Sequence, residues 1–600
     1  MILEAPFGTA DHYFLDAASG CWTPRGGAIS FSYSDGAEIE LRLLEIVQGA
    51  DDRSVLSEQL RNAISDWPSR YHLSARRANL LRPLEHLFRG QKVLEVGAGC
   101  GAISRFLGEC GASVVAVEGS AARAAVAAAR CRDLDSVSVV VDTFDRLPVE
   151  PTFDVVCLIG VLEYARLYFP AHDGDAVDGM LAHAVRYLRP GGRLVLAIEN
   201  QLGLKYFAGY REDHVAQPMF GIEDLYASNG VVTFGKAELA TRLHRAGLAE
   251  LEWLYPFPDY KLPVSVLTER ALSAHGNIDL SPLLSASVVA DPQVPDDFGF
   301  SLEQAWRPVF RNRLAGELSN SFLLVASSGG DVAVPENALA YHYAAERRRG
   351  FTKSTSVVLE NGSARVRSLP LAPMVTPYPD VSVTLQFEAS SFIEGQHWQM
   401  AFYECVNRPG WRVGELAAWT EVWLTALLKR GGQLASRRDK DLMLSGELID
   451  AVPRNLIVNG SETCFFDLEW VAKHDLPLGY LLFRGIVLSL LGIGSVAVPT
   501  AGTPLRLFDL FLAVADSLKM PLTREDVQAY FSRESVFQED VNACAWVSFD
   551  ALDAYAMPTR KAPGQAAEIR AIVAGNASDA ARPAGTHSGL TGLVRRMLGR

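Results

Sequence analysis

Val93-Leu-Glu95-Val-Gly97-Ala-Gly99-Cys-Gly101 is an apolar strand that ends in an acid and a Gly-x-Gly-x-Gly turn. Glycines there let the backbone turn sharply and approach a ligand that any Cβ would obstruct. Outward from this loop, hydrophobic periodicity predicts strands at 92–96, 113–117, 137–141, 154–159 and 193–198. Helices are predicted near 102–110, 120–131 and 175–188, with a further helix at 236–246 and a strand near 248–255. Short β-rich runs alternating with longer helical patterns imply an α/β fold, a Rossmann-like doubly wound parallel sheet with right-handed crossovers. Its boundaries are set at 91–265.

Ligands of such sheets sit outside the carboxyl ends of the strands, where the strand order reverses. Glu118 ends the second strand, where a carboxylate can accept hydrogen bonds from ribose hydroxyls. Asp142 ends the third, within reach of an adenine amino group, and Gly160 ends the fourth. A nicotinamide dinucleotide is the rival ligand, since Gly97-x-Gly99-x-x-Ala102 also satisfies the loose G-x-G-x-x-G/A pattern. Glu95 argues against it, because an acid so close would crowd a pyrophosphate yet suits the cationic amino-acid end of S-adenosylmethionine. The fourth strand, Phe153-Asp-Val-Val-Cys-Leu-Ile-Gly-Val-Leu-Glu-Tyr164, and Leu188-Arg-Pro-Gly-Gly-Arg-Leu-Val-Leu-Ala-Ile-Glu-Asn200 complete the pattern. With them the run resembles the class I S-adenosylmethionine-dependent methyltransferases.

Composition limits the remaining classes. The chain of 600 residues is too long for one core. Its net charge of −14 argues against a general nucleic-acid binder, which must neutralise phosphates. The eight cysteines form no C-x-x-C pair, which suits reduced thiols in a cytoplasm. Gly479–Pro499 is apolar but holds Arg484 and four glycines, so a buried helix and turn are expected there rather than a membrane span. No signal peptide is evident at the N-terminus. Residues 1–90 are expected to form a mostly helical extension, with a strand-like piece at Ala28–Tyr33 and helices at 37–49 and 54–66.

Glu199-Asn-Gln-Leu-Gly-Leu-Lys-Tyr-Phe-Ala-Gly-Tyr-Arg-Glu-Asp-His214, Gly221-Ile-Glu-Asp, and Tyr255-Pro-Phe-Pro-Asp-Tyr-Lys261 are similar to segments of bacterial surface-polysaccharide (O-antigen) methyltransferases. Trp67–Leu73 and Gly316–Leu324 fit the same group, which makes 266–330 a methyltransferase-associated segment. The resemblance implies O-methylation of a glycan or lipid-linked glycan, with glycosyltransferases as partners. Methyl transfer from a sulfonium needs mainly positioning and, for a hydroxyl acceptor, a base. His214, flanked by Glu212 and Asp213, is the first candidate base, against the plainer reading of a surface histidine in a charged loop. Tyr71, His72, Glu163, Tyr164 and Lys205 are candidates for lining the acceptor or covering the cofactor, although each alone is more often packing or surface. His172 beside Asp173 and Asp175 lacks a further ligand at a clear spacing, so no metal is expected in this domain.

From 331 to 535 the pattern changes to α+β, with strands at 354–367 and 381–387 and helices at 412–430, 478–491 and 505–533. Leu448-Ile-Asp450-Ala-Val-Pro-Arg-Asn455-Leu-Ile-Val and Cys464-Phe-Phe-Asp467 resemble the catalytic centre of kinase-like domains. There the first Asp orients the nucleophile, while Asn455 and Asp467 would hold magnesium on ATP. No Gly-rich loop precedes this centre, and Arg365 or Arg367 would have to stand in for the phosphate-binding lysine, which is not a conservative exchange. A bifunctional methyltransferase–kinase that caps a glycan chain and a non-enzymatic adaptor in glycan assembly are therefore both kept as alternatives. Residues 536–600 are expected to be a tail, with a flexible linker at 562–588. Its basic end (Arg595, Arg596, Arg600) would make weak peripheral contact with an anionic membrane. The expected location is cytoplasmic, at the inner face of the membrane if that contact forms.

Overall fold

The structure is a computed structural model that describes residues 12–26, 31, 33–170, 174–273, 278–295, 298–329, 334–373, 378–387 and 390–560. The linker at 562–588, the basic tail, His172 and Asp173 lie outside the described residues. The chain divides into two compact units. Unit 1 comprises 1–206, 211–273 and 315–360, and unit 2 comprises 207–210, 274–314 and 361–600. The division differs from the expected boundaries. Residues 1–90 cluster with the sheet instead of standing apart, 266–330 is shared between the units, and 331–360 belongs to unit 1.

Unit 1 is built on one sheet. Its strands are β1 (Tyr13–Asp16), β2 (Cys21–Pro24), β3 (Lys92–Val96), β4 (Ser113–Glu118), β5 (Val137–Val141) and β6 (Phe153–Ile159). They continue with β7 (Leu188–Glu199), β8 (Glu250–Phe257), β9 (Ser265–Thr268), β10 (Ser321–Ser327), β11 (Ala338–Ala344) and β12 (Lys353–Glu360). Their order is β1-β2-β5-β4-β3-β6-β7-β10-β8-β9-β11-β12. Strands β5, β4, β3, β6 and β7 are parallel, as a Rossmann-like sheet requires. The order reverses between β3 and β6, so ligands are expected beyond the carboxyl ends of these two strands. β3 and β6 are buried along nearly their whole length. Their near-continuous valine, leucine and isoleucine runs are what two covered faces demand.

The apolar run at 322–326 forms β10, which lies antiparallel between β7 and β8. This is why 266–330 cannot be treated as an appendage: its last strand is an interior strand of the sheet. The expected strand at Ala28–Tyr33 lies outside the described residues except for Phe31 and Tyr33; ahead of it stands the β1–β2 hairpin at 13–24, and β2 touches β5 in parallel through Trp22 and Val140. The expected helix at 54–66 is reduced to Glu58–Asn62, and Trp67–Leu73 is itself helical. Asp66 supplies the stop and restart, as the N-cap of a reciprocal capping box with Ser69.

Unit 2 holds helices Val413–Arg430, Leu478–Leu491, Leu507–Ser517 and Arg524–Asn542. A short hairpin, Leu456–Asn459 with Glu462–Phe465, packs on Gln396–His397. Helix Leu478–Leu491 is buried almost throughout. Among the described residues, no helix is long and apolar enough to cross a membrane.

Candidate active site

The glycine loop joins β3 to helix Ala102–Glu109, and Gly97, Gly99, Gly101 and Gly160 all have positive φ. Gly101 shows the constraint most plainly: at φ +77, a Cβ would stand 2.7 Å from the Cα of Ala127. The loop therefore fits under helix Ala121–Cys131 only without a side chain. Glu118, at the end of β4, grips the loop from below. It accepts the Gly99 amide at 2.7 Å and the Ser120 amide at 2.9 Å. Asp142, after β5, accepts from the Tyr13 hydroxyl at 2.8 Å and from its neighbour's amide, Thr143, at 2.8 Å. Each of these four carboxylate oxygens keeps a second lone pair for a ligand.

Glu95 departs from expectation. It is 3 % exposed, accepts the Ser104 hydroxyl at 2.5 Å and faces the interior of the domain. Burial pushes its pKa up to about 8. At neutral pH it is mostly uncharged, so it supports the first turn of the following helix rather than presenting an anion to a cationic ligand.

Several residues with no loud sequence signal converge over the loop. The Arg123 guanidinium lies against Gly99, over the Tyr33 ring at 4.9 Å and 3.8 Å from Asp35. His72 meets Asp35 at 3.0 Å, and burial holds its imidazole down at about 4, hence neutral. Tyr71 packs edge-on against His72 and beneath Arg77. Arg123, Asp35 and Tyr33 were missed because a lone arginine in an alanine-rich helix carries no motif.

Beyond the ends of β6 and β7 lies a second, buried cluster. The Tyr164 hydroxyl is 3.0 Å from His214 Nδ1 and 3.3 Å from the Tyr33 hydroxyl. His214 Nε2 is 3.4 Å from Glu199 Oε2. The other oxygen of Glu199 receives Lys261. Glu163, fully buried, accepts from the Tyr260 hydroxyl at 3.4 Å. Lys205 is buried and ion-paired to Asp213 and Asp259, each at 3.1 Å, so it is a structural cation and not an acceptor contact. Glu199, Lys261 and Tyr260, not singled out in the sequence, are central here.

The electrostatics change the role expected of His214. Burial works against its charge, but Glu199, Glu163 and Glu212 overcome this and raise its pKa to about 9. An imidazolium has no free lone pair, so in this state His214 is not a general base. Burial likewise opposes the charge on Glu199, yet Lys261 and His214 hold it down at about 2. Burial, with Glu199 nearby, pushes Glu163 up to about 8. Asp175, the described member of the faint metal grouping, instead caps helix Ala176–Val185 and pairs with Arg166.

In unit 2, Asn455 Nδ2 donates to the carbonyl of Asp450 at 2.9 Å and to that of Asp467 at 3.3 Å. Asp450 is buried and accepts the Glu469 amide at 3.1 Å. Burial, reinforced by Glu469, raises it to about 6. Asp467 adopts φ +50. Arg365 is exposed and donates to Ser391, 2.6 Å away.

Comparison with known proteins agrees with the fold of unit 1. Residues 94–194 match a family described as a methyltransferase domain. The demethylmenaquinone methyltransferase of Tropheryma whipplei (strain Twist) is 30% identical over 107 residues, 18% of this chain. The chain spans 41% of that relative's length. Among solved structures, phosphoethanolamine N-methyltransferase 2 of Haemonchus contortus with S-adenosyl-L-methionine is 16% identical. It covers 42% of this chain and 52% of its own, at a TM-score of 0.25. A SAM-dependent methyltransferase from Archaeoglobus fulgidus is 15% identical, covering 43% and 96% respectively, at a TM-score of 0.26.

Proposed function

We propose that unit 1 transfers a methyl group from S-adenosylmethionine to an oxygen of a cell-surface polysaccharide or its lipid-linked precursor. The observation that carries the methyl-donor reading is the Glu118–Gly99 grip beside the reversal of strand order. It leaves a carboxylate with free lone pairs at the end of β4, next to a loop that tolerates no side chain. The matched methyltransferase domain, 94–194, spans the same elements. Within this reading Glu118 holds the ribose, Asp142 the adenine edge, and Arg123 and His72 cover the loop.

A polar acceptor is supported by the buried Glu163–Glu199–His214 cluster. An apolar quinone ring, which the name of the Tropheryma whipplei relative suggests for that protein, would leave these groups desolvated without partners. A hydroxyl-rich or phosphorylated sugar offers them hydrogen bonds. The test is calorimetry with S-adenosylmethionine, followed by transfer of a labelled methyl to short glycans, phosphoglycans and a demethylated quinone. Label in the quinone alone would overturn the acceptor, and no cofactor binding would overturn the whole reading.

The second reading concerns unit 2. Asn455 donates to the backbone carbonyls of Asp450 and Asp467 beside a short hairpin, which brings together the residue types that magnesium-assisted phosphoryl transfer from ATP uses. Arg365, exposed and bound to Ser391, does not supply a phosphate clamp. A kinase-like scaffold that binds glycan or a partner protein is the outcome if ATP–magnesium binding is absent. Binding that disappears in Asp467→Ala supports the kinase.

A further inference from the structure

Three polar atoms in the buried cluster of unit 1 share one unusual property. Glu163 Oε2, Glu199 Oε2 and His214 Nε2 are buried without a hydrogen bond, the last two facing each other only across a 3.4 Å ion pair. The three residues come from distant parts of the chain, yet one ligand atom from each lies within 4.8 Å of the others. The Glu199 and His214 side chains are 0 % and 7 % exposed, and Glu163 is fully buried. Buried polar atoms left without hydrogen bonds cost free energy, and three of them gathered in one cluster are not explained by packing alone.

The other polar atom of each side chain is occupied. Tyr260 donates to Glu163 Oε1, Lys261 donates to Glu199 Oε1, and Tyr164 engages His214 Nδ1. Ion binding displaces the Nε2 proton, so with Nδ1–H donating to the Tyr164 oxygen, Nε2 becomes the lone-pair nitrogen. Ligating histidines and carboxylates are oriented in this way, one atom fixed by a neighbour and the other free for the ion.

We propose that Glu163, Glu199 and His214 form a site for a divalent first-row transition ion. An imidazole with two carboxylates suits manganese, iron or zinc, whereas magnesium and calcium prefer oxygen-only sets. Ligand bonds of about 2.1 Å allow donors to spread over roughly 4.2 Å, so the farthest pair need draw in only by about half an ångström. Three protein ligands leave positions open. They face the region beyond β6 and β7 where the acceptor of the proposed methyl transfer would lie, so a bound ion would take two oxygens of a sugar or phosphate. That last step rests on the methyltransferase reading; the ion site does not. It also revises the expectation of no metal in this domain.

The experiment uses the full chain, stripped with chelator and titrated with manganese by electron paramagnetic resonance, with zinc as competitor. Calorimetry with S-adenosylmethionine on the same samples reports folding and the donor site separately. One ion per chain is expected, weakened at least tenfold in Glu163→Gln and in His214→Gln. Tyr164→Phe, which removes only the hydroxyl that orients the imidazole, should weaken it by a smaller factor and guards against a ligand variant that fails to fold. No stoichiometric manganese or zinc in folded protein, or binding unchanged in all three variants, overturns the site. Loss of cofactor binding with the ion retained would overturn the methyltransferase reading instead.

Discussion

Glu118 accepts a 2.7 Å hydrogen bond from the amide of Gly99, so the acid closing β4 holds the loop that follows β3. One carboxylate thereby shapes the loop and, in the proposed reading, holds the ribose. Glu118→Ala should weaken S-adenosylmethionine binding by at least tenfold in calorimetry, equal to about 1.4 kcal/mol. Unchanged affinity in a folded variant would remove Glu118 from the donor site.

Gly101 has no room for a methyl group. At φ +77 with Ala127 Cα 2.7 Å from the would-be Cβ, Gly101→Ala must both strain the backbone and push helix Ala121–Cys131. A loss of about 2 kcal/mol or more is expected in urea unfolding. A variant as stable as the parent would mean that the loop is not packed as described.

Glu95 makes stability depend on pH. Its pKa rises on folding from the ordinary glutamate value to about 8. The folded state therefore binds the proton more tightly, and the associated stability is full below the unfolded pKa and is lost as pH rises through the folded one. Glu95→Gln, which cannot ionise, should gain on the parent between about pH 4.5 and 8, by up to about 4 kcal/mol. Thermal unfolding at pH 5 and pH 8 measures this, and parallel curves for the two proteins would refute it.

The buried Arg484–Glu534 pair locks helix Leu478–Leu491 to helix Arg524–Asn542 in unit 2. Tyr480 also donates to Glu534, at 2.9 Å. Glu534→Ala leaves a buried guanidinium unpaired and should cost about 3–5 kcal/mol. Replacing both partners with apolar residues of similar volume should cost much less, and equal losses from the single and double changes would contradict this account.

The parallel sheet was legible because its strands are buried on both faces. Runs such as Val93–Val96 and Val155–Ile159 leave little choice of periodicity, and the predicted 92–96, 113–117 and 137–141 agree closely with β3, β4 and β5. Gly97, Gly119 and Gly160 mark where β3, β4 and β6 end. The place of β10 between β7 and β8 was not legible, since an apolar run shows that it is buried but not between which strands. The hairpin at 13–24 carries too short a pattern to be read from sequence, and Phe31 and Tyr33 pack on Tyr168 and Tyr164. His214 was found by its charged neighbours, but its partner Glu199 and Lys261, 62 residues beyond Glu199, meet only through the fold. Without that meeting, the rise in the His214 pKa that Glu199 and Glu163 cause could not be foreseen.

The β1–β2 hairpin has a consequence for the state of the whole protein. It covers the outer edge of β5 through Trp22 and Val140. An uncovered interior-type strand is a template for pairing with any other extended chain. Tyr13 fastens this cover to Asp142, at the ligand end of the same strand. One phenol thus ties the guard on this edge to the residue that closes the strand it guards, and whatever draws Tyr13 away from Asp142 would loosen that guard.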